Sequence, residues 1–289
     1  KFAVSTDSSG LLGSPKTWKA VWGFLENDPG FAGFEIIGWR WMITPLVKAA
    51  QKEGIKVAGI HGRFGEACYQ TSLLARVLHE TINRCLIDTP SLIGKYGQMA
   101  GVDYILVHAS ELRSPKHLQA LKNCPPKLLY LENHIGIGAE GQARDGACGL
   151  REMGELPQER IAAGVMFDFA HFLYSYNCLN NGRDKFARGW DASLEYLRET
   201  AAKTGRKDVK LGLHLPIGSN RNDSLPVEEM PDRMWQDLAE IIRESGINHL
   251  VLENCHPFRD SLYLTPSQIA GQKERNIWVV EKLRQSGVL

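Results

Sequence analysis

Short apolar runs recur along the chain, separated by amphipathic or glycine-rich stretches, and most of the runs stop on a polar residue. Lys1-Phe-Ala-Val-Ser-Thr6 predicts a first strand, and a helix is expected from Pro15 to Leu25. Phe34-Glu-Ile-Ile-Gly38 predicts a second strand. Thr44 then offers an N-cap and Pro45 a first helical residue, for a helix that ends near Gly54. Lys56 to His61 predicts a third strand and Asp103 to His108 a fourth, with a long helix between them, from Tyr69 to Met99, broken at Pro90. A short helix over His117 to Lys122 precedes a fifth strand, Lys127 to Glu132.

The second half continues in the same way. A polar, glycine-rich loop (Gly136 to Gly149) and a helix from Leu150 to Ile161 lead to an apolar run, Ala162 to Phe167, which ends on Asp168 as the sixth strand. A loop rich in Asn and Gly, Tyr174 to Gly189, precedes a helix from Ala192 to Thr204. Val209 to His214 predicts the seventh strand, and a helix over Asp232 to Ser245 follows a long loop. Asn248 to Glu253 predicts the eighth strand, and Pro266 to Gln285 the last helix. Eight strand–helix units in 289 residues predict an α/β protein, a (β/α)8 TIM barrel forming a single domain over 1–289. A doubly wound open sheet is the competing fold. No Pro/Ser-rich linker or charge block divides the chain.

Composition narrows the function classes. Hydrophobic residues make up 43% and charged residues 23%, as in ordinary globular proteins. A net charge of +1 provides no global basic field for nucleic acid or a membrane surface. No apolar run reaches the roughly 18 residues of a membrane span. The six cysteines are scattered without a C-x-x-C pair, which predicts reduced thiols and a cytoplasmic location.

The chemistry is concentrated at the predicted strand ends. Strands three to eight end on His61, His108, Glu132, Asp168, His214 and Glu253, and His171 lies three residues beyond Asp168. In a parallel barrel the C-terminal strand ends converge on one mouth. Polar residues often terminate strands, and Asp168 with His171 has a plainer reading: a helix cap and a histidine bonded to nearby backbone. Six consecutive ends drawn only from His, Asp and Glu form a coherent donor set, however. Carboxylate oxygens and imidazole nitrogens suit a divalent metal (Mn, Zn, Mg, Co or Fe). The absence of cysteine disfavours a structural zinc site.

With these residues in view, the chain resembles the xylose isomerase-like TIM-barrel superfamily, which includes sugar isomerases, ketose 3-epimerases and the endonuclease IV family. The motifs that carry the resemblance are Leu131-Glu-Asn133, Phe167-Asp-Phe-Ala-His171, Gly212-Leu-His214 and Leu252-Glu-Asn254. In the isomerase and epimerase branch, the resemblance implies one divalent ion held by Glu132, Asp168, His214 and Glu253. It implies that Glu132 and Glu253 also form the acid/base pair and that His171 binds a substrate oxygen. The expected function is isomerisation or epimerisation of a small sugar or related polyol through an enediolate.

The endonuclease IV branch uses more ligands, and His61, His108 and His171 match three of them. Its Asp-x-His after strand seven is missing, since the loop reads Asn220-Arg-Asn-Asp223. Asp223 remains a weaker ligand candidate, and the extra histidines could complete a second metal site or bind substrate. A metal-dependent phosphodiesterase with an incomplete third site is therefore the alternative, and nucleic acid is a disfavoured partner. A barrel that binds sugar without turnover is a third reading. The resemblance also leaves a homo-oligomer open.

Other features of the sequence have plainer explanations. Gly136-Ile-Gly-Ala-Glu-Gly141 matches G-x-G-x-x-G, but no convincing helix opens on it, so it reads as a loop over the mouth. Trp39 and Trp41 could stack on a sugar or pack. Arg40, Arg63, Arg113 and Arg221 could grip an anion or simply be solvated, with Arg63, Arg221 and Trp39 the preferred substrate contacts. His134 and His256 could support the ligands from behind, while His79, His117 and His249 look structural or exposed.

Overall fold

Alternation of inward and outward side chains closes the eight apolar runs into a barrel. The computed structural model describes residues 1–6, 14–38, 40–62, 102–108, 129–133, 164–169, 171–173, 187–205, 209–217, 230–247, 249–254 and 265–289. Its strands are β1 (Phe2–Ser5), β2 (Phe31–Gly38), β3 (Val57–Gly62), β4 (Tyr104–His108), β5 (Leu129–Glu132), β6 (Gly164–Asp168), β7 (Lys210–Ile217) and β8 (His249–Asn254). Each pairs in parallel with the next, and β1 pairs with β8 to close the ring. The described helices are α1 (Pro15–Trp22), α2 (Arg40–Lys52), α3 (Ala187–Gly205), α4 (Asp232–Glu244) and α5 (Pro266–Gln285). The fold is the predicted (β/α)8 barrel, not the open sheet.

The side-chain period of two sorts each strand into two faces. On β5, Leu129 and Leu131 join the cluster between barrel and helices, while Tyr130 joins a cluster of inward residues with Ala3, Ala32, Ala58, Tyr104, Leu106, Met166 and Val251. The same alternation on β6 sends Val165 and Phe167 outward and Met166 inward. Glu132 and Asp168 fall on the inward phase of their strands, and so do His214 after Gly212 and Glu253 after Val251. The outer cluster is completed by helix faces, such as Trp235, Leu238, Ile241 and Ile242 of α4.

The barrel interior is filled by pairing large residues with glycine on the neighbouring strand. Tyr104, Tyr130 and Met166 stand in register with Gly59, Gly164 and Gly212 respectively. A Cβ at Gly59 would lie 2.2 Å from the Tyr104 ring, and one at Gly164 would lie 2.3 Å from the Tyr130 ring. Only glycine leaves space for the two rings, which pack at a centroid distance of 5.5 Å beneath the mouth.

Several predicted boundaries move. The second strand starts at Phe31, three residues before the expected Phe34, because Phe31 already pairs with Phe2 of β1. The following helix does not start at Pro45: α2 begins at Arg40 and carries Pro45 inside it. Its buried residues Met42, Ile43, Val47 and Ala50 begin before the proline, and burying that face outweighs one missing backbone donor. The seventh strand does not end on His214 but runs on to Ile217, paired with β8 as far as Asn254. The helix expected from Ala192 begins at Ala187. Pro266–Gln285 is found as expected, with Thr265 and Gln268 forming a capping box. The helices expected at 69–99, 117–122 and 150–161 lie outside the described residues. Among the described residues, no helix is long and apolar enough to cross a membrane.

Candidate metal centre

Strand register carries the polar ends to one level of the barrel. Asp168 stands opposite His214 across β6 and β7, and Glu132 opposite His108 across β4 and β5. Glu132 and His214 are 0% exposed, Asp168 1%, His61 4% and Glu253 8%. Carboxylates are rarely buried this deeply unless they are paired or ligate a cation.

His214 lies at the centre of the group. Its Nδ1 is 2.9 Å from Glu132 Oε1, 3.1 Å from Asp168 Oδ2 and 3.6 Å from Glu253 Oε2. One ring nitrogen has at most one proton and cannot serve three carboxylates, whereas a divalent cation could engage all three. Glu132 also reaches a second histidine, with its Oε2 3.0 Å from His61 Nε2. Asp168 divides its two oxygens: Oδ1 accepts the His171 backbone N–H at 2.7 Å, and Oδ2 faces His214. His171 Nδ1 lies 2.9 Å from the carbonyl of Asn133 and 3.7 Å from Asp168 Oδ2. The capping reading of Asp168 and His171 therefore holds alongside the convergence on His214.

One residue of the cluster was missed in the sequence. Glu35, inward on β2 and 0% exposed, places Oε1 3.3 Å from His61 Nδ1 and 3.4 Å from His214 Nε2. Its other oxygen accepts a 2.5 Å hydrogen bond from the Tyr104 hydroxyl. The available signal was an acid inside an otherwise apolar strand, Phe34-Glu-Ile-Ile, which needs buried partners.

Burial and the neighbouring charges set the protonation states. Burial alone would raise the Glu35 carboxyl, but His214 and His61 outweigh it and hold Glu35 well below the usual carboxylate range. Burial opposes a charge on His61, yet Glu132 and Glu35 push its pKa up to about 10. His214 is raised well above the ordinary imidazole value despite burial, by Glu253, Glu132 and Glu35. His171 is raised too, against burial, chiefly by Asp168. Burial, followed by the charge on Glu35, raises Tyr104 well above the usual phenol value.

Among the described residues, two sets of three could hold a metal ion: Glu132, Asp168 and His214, and Glu35, His61 and His214. In each set, ligand atoms from all three residues lie within 4.8 Å of one another. The donors are imidazole nitrogens and carboxylate oxygens, a chemistry that fits a divalent cation. Of the residues singled out in the sequence, Glu132, Asp168, His171, His214, Glu253 and His61 come together here. His108 ends β4, and its side chain lies outside the described residues, as do Trp39, Arg63, Arg221 and Asp223. His249, expected to be structural or exposed, is half-buried at the base of β8, with its ring 4.6 Å from that of Tyr104.

No known protein family and no curated protein matches the sequence. Solved structures do match the fold. A sugar phosphate isomerase/epimerase from Parabacteroides distasonis is 13% identical, with 98% of this chain and 93% of that one covered and a TM-score of 0.50. A 3-keto-D-glucoside 4-epimerase from E. coli is 13% identical over 97% and 99% of the two chains, with a TM-score of 0.48. Thermotoga maritima Cel5A in complex with mannotriose is 10% identical over 94% and 96%, with a TM-score of 0.46. The likeness is one of fold. The chain shares its closed eight-stranded parallel barrel with the sugar phosphate isomerase/epimerase.

Proposed function

We propose that the protein is a divalent-metal-dependent isomerase or epimerase of a small sugar or related polyol. The observation that carries this reading is the convergence of three carboxylates, from Glu132, Asp168 and Glu253, on His214 Nδ1 at the barrel mouth. These four residues would hold the ion. When bound, it would polarise a substrate carbonyl and stabilise the negative charge of an enediolate.

The chain's own groups would move the protons. One of Glu132 and Glu253 takes the proton from the carbon beside the carbonyl. In epimerisation the other, already protonated, gives its own proton to the opposite face of that carbon; in isomerisation the newly protonated glutamate, after exchange with solvent, protonates the adjacent carbon. His171, whose Nδ1 lies 2.9 Å from the Asn133 carbonyl, would bind a substrate oxygen. The fold shared with the Parabacteroides sugar phosphate isomerase/epimerase supports the same reaction class.

A second reading draws on the position of Glu132 between His61 and His214. A carboxylate so placed could bridge two metals, as a phosphodiesterase similar to endonuclease IV would require. The deciding experiment incubates metal-loaded protein with a panel of aldoses and ketoses in D2O. Proton NMR then follows the hydrogen on the carbon next to the carbonyl. Metal-dependent exchange is expected. Nicking of abasic duplex DNA without exchange would favour the second reading, and sugar binding with neither activity would leave a non-catalytic barrel.

A further inference from the structure

Glu35 sits one layer below the ligands. On β2 it stands in register with Ser5 and Gly59, whereas His61 is level with Ile37, two residues further along. His61 therefore lies nearer the C-terminal end of the barrel than Glu35. The carboxylate is divided between two tasks: Oε2 accepts from Tyr104, and Oε1 lies within 3.4 Å of one nitrogen on each histidine ring. Each histidine turns its remaining nitrogen to a different oxygen of Glu132: His214 Nδ1 to Oε1 at 2.9 Å, and His61 Nε2 to Oε2 at 3.0 Å. The two rings stand nearly edge to face at 5.4 Å, and the short contacts of Glu35 Oε1 to both are charge contacts without hydrogen-bond alignment in this structure.

We infer that Glu35 is a positioning residue: when a metal binds, it would accept the Nε2–H of His214 and the Nδ1–H of His61, which already lie 3.4 and 3.3 Å from Oε1, so that His214 Nδ1 and His61 Nε2 present lone pairs to the metal centre. A ring nitrogen that donates to a carboxylate fixes the tautomer and leaves the other nitrogen to ligate. Tyr104 holds Glu35 in place, and Gly59 leaves room for the Tyr104 ring. Glu35 therefore acts on the centre through the histidines and not as a ligand of its own. This inference rests on the metal-centre part of the proposed function and not on the reaction.

The test uses the full chain labelled with 15N-histidine and titrated with Zn²⁺. Long-range 1H–15N correlation spectra should show wild-type His214 metal-bound at Nδ1 and protonated at Nε2. Glu35→Gln, which keeps the shape, should lower Zn²⁺ affinity by about ten- to a hundredfold with an unchanged far-UV circular dichroism spectrum. Its His214 N–H signal should shift or exchange faster, a change that a merely structural role would not cause. Tyr104→Phe should shift both readouts the same way, by less. Ligation through His214 Nε2 in the wild type, or wild-type affinity and tautomer in Glu35→Gln, would overturn the inference. Should Glu35→Gln fail to fold, the wild-type tautomer decides alone. Wild-type protein that binds no Zn²⁺ overturns the inference together with the metal centre, whereas inactivity towards sugars with the tautomer as stated overturns only the reaction.

Discussion

The side chain of Asn133 is doubly hydrogen-bonded to the backbone of Asp168, donating from Nδ2 to its carbonyl at 2.9 Å and accepting its N–H at Oδ1 at 2.6 Å. Asn133 follows Glu132 at the end of β5 and Asp168 ends β6, so the pair fixes the spacing of two proposed ligands. Asn133 is 1% exposed. Asn133→Ala would leave a buried donor and a buried acceptor without a partner, at a cost of about 2 kcal/mol or more. Asn133→Asp should be worse, because it removes the donor and sets another negative charge beside four buried carboxylates. Thermal denaturation of both variants measures this, and a melting temperature equal to wild type for Asn133→Ala would refute the clamp.

Glu132 contacts both histidines and is fully buried, so Glu132→Gln is expected to abolish metal retention altogether. His61→Ala should be milder under the isomerase reading, since Asp168, His214 and Glu253 remain with Glu132. Elemental analysis of dialysed, reconstituted protein gives the count. One ion per chain, kept in His61→Ala and lost in Glu132→Gln, is the expected outcome. Two ions falling to one in His61→Ala would make Glu132 a bridge and favour the phosphodiesterase.

Which residues were legible in the sequence follows from where they sit on their strands. His61, Glu132, Asp168 and Glu253 were found because each interrupts an apolar run at or next to its end, where polarity marks the barrel mouth. His214 was found for a partly mistaken reason: β7 continues through Leu215-Pro-Ile217, and the expected stop there was only an inward polar position. Glu35 does not look like a strand end, because Ile36 and Ile37 follow it. Its partners come from strands β3, β4 and β7, distant in sequence, and no local pattern could have named them. The start of α2 follows its apolar face, which begins at Met42, and not the local chemistry of Thr44-Pro45.

The interior pairing of glycine with tyrosine gives a stability prediction away from the metal. A Cβ at Gly164 would stand 2.3 Å from the Tyr130 ring, which closure of the barrel keeps from moving aside freely. Gly164→Ala should destabilise the protein by about 1–3 kcal/mol, the usual range for overpacking. In a Tyr130→Leu background the same substitution should cost less, because the clashing ring is gone, so the two changes should be non-additive. Chemical denaturation of the two singles and the double gives the coupling, and full additivity would mean that the clash is not what the glycine avoids.

The electrostatics of the cluster predict opposite pH behaviour with and without metal. In the metal-free protein, the His61 pKa is raised from 6.5 to about 10, first against burial and then by Glu132 and Glu35. A raised folded-state value stabilises the fold fully below the unfolded value and ceases to do so as pH climbs through the folded one. The metal-free melting temperature should therefore fall between about pH 6.5 and 10, and His61→Gln should flatten that slope. Glu35 acts at the other end: its lowered carboxyl contributes above 4.5 and loses that contribution as pH falls. A bound ion needs the unprotonated nitrogen, so loading metal at pH 7 must displace protons from His61, His214 or both. Calorimetric titration with Zn²⁺ in buffers of different ionisation enthalpy should show net proton release at pH 7, diminishing above pH 10. A binding heat independent of the buffer would show that the histidines are already neutral, and the close carboxylate contacts would then not hold them protonated in solution.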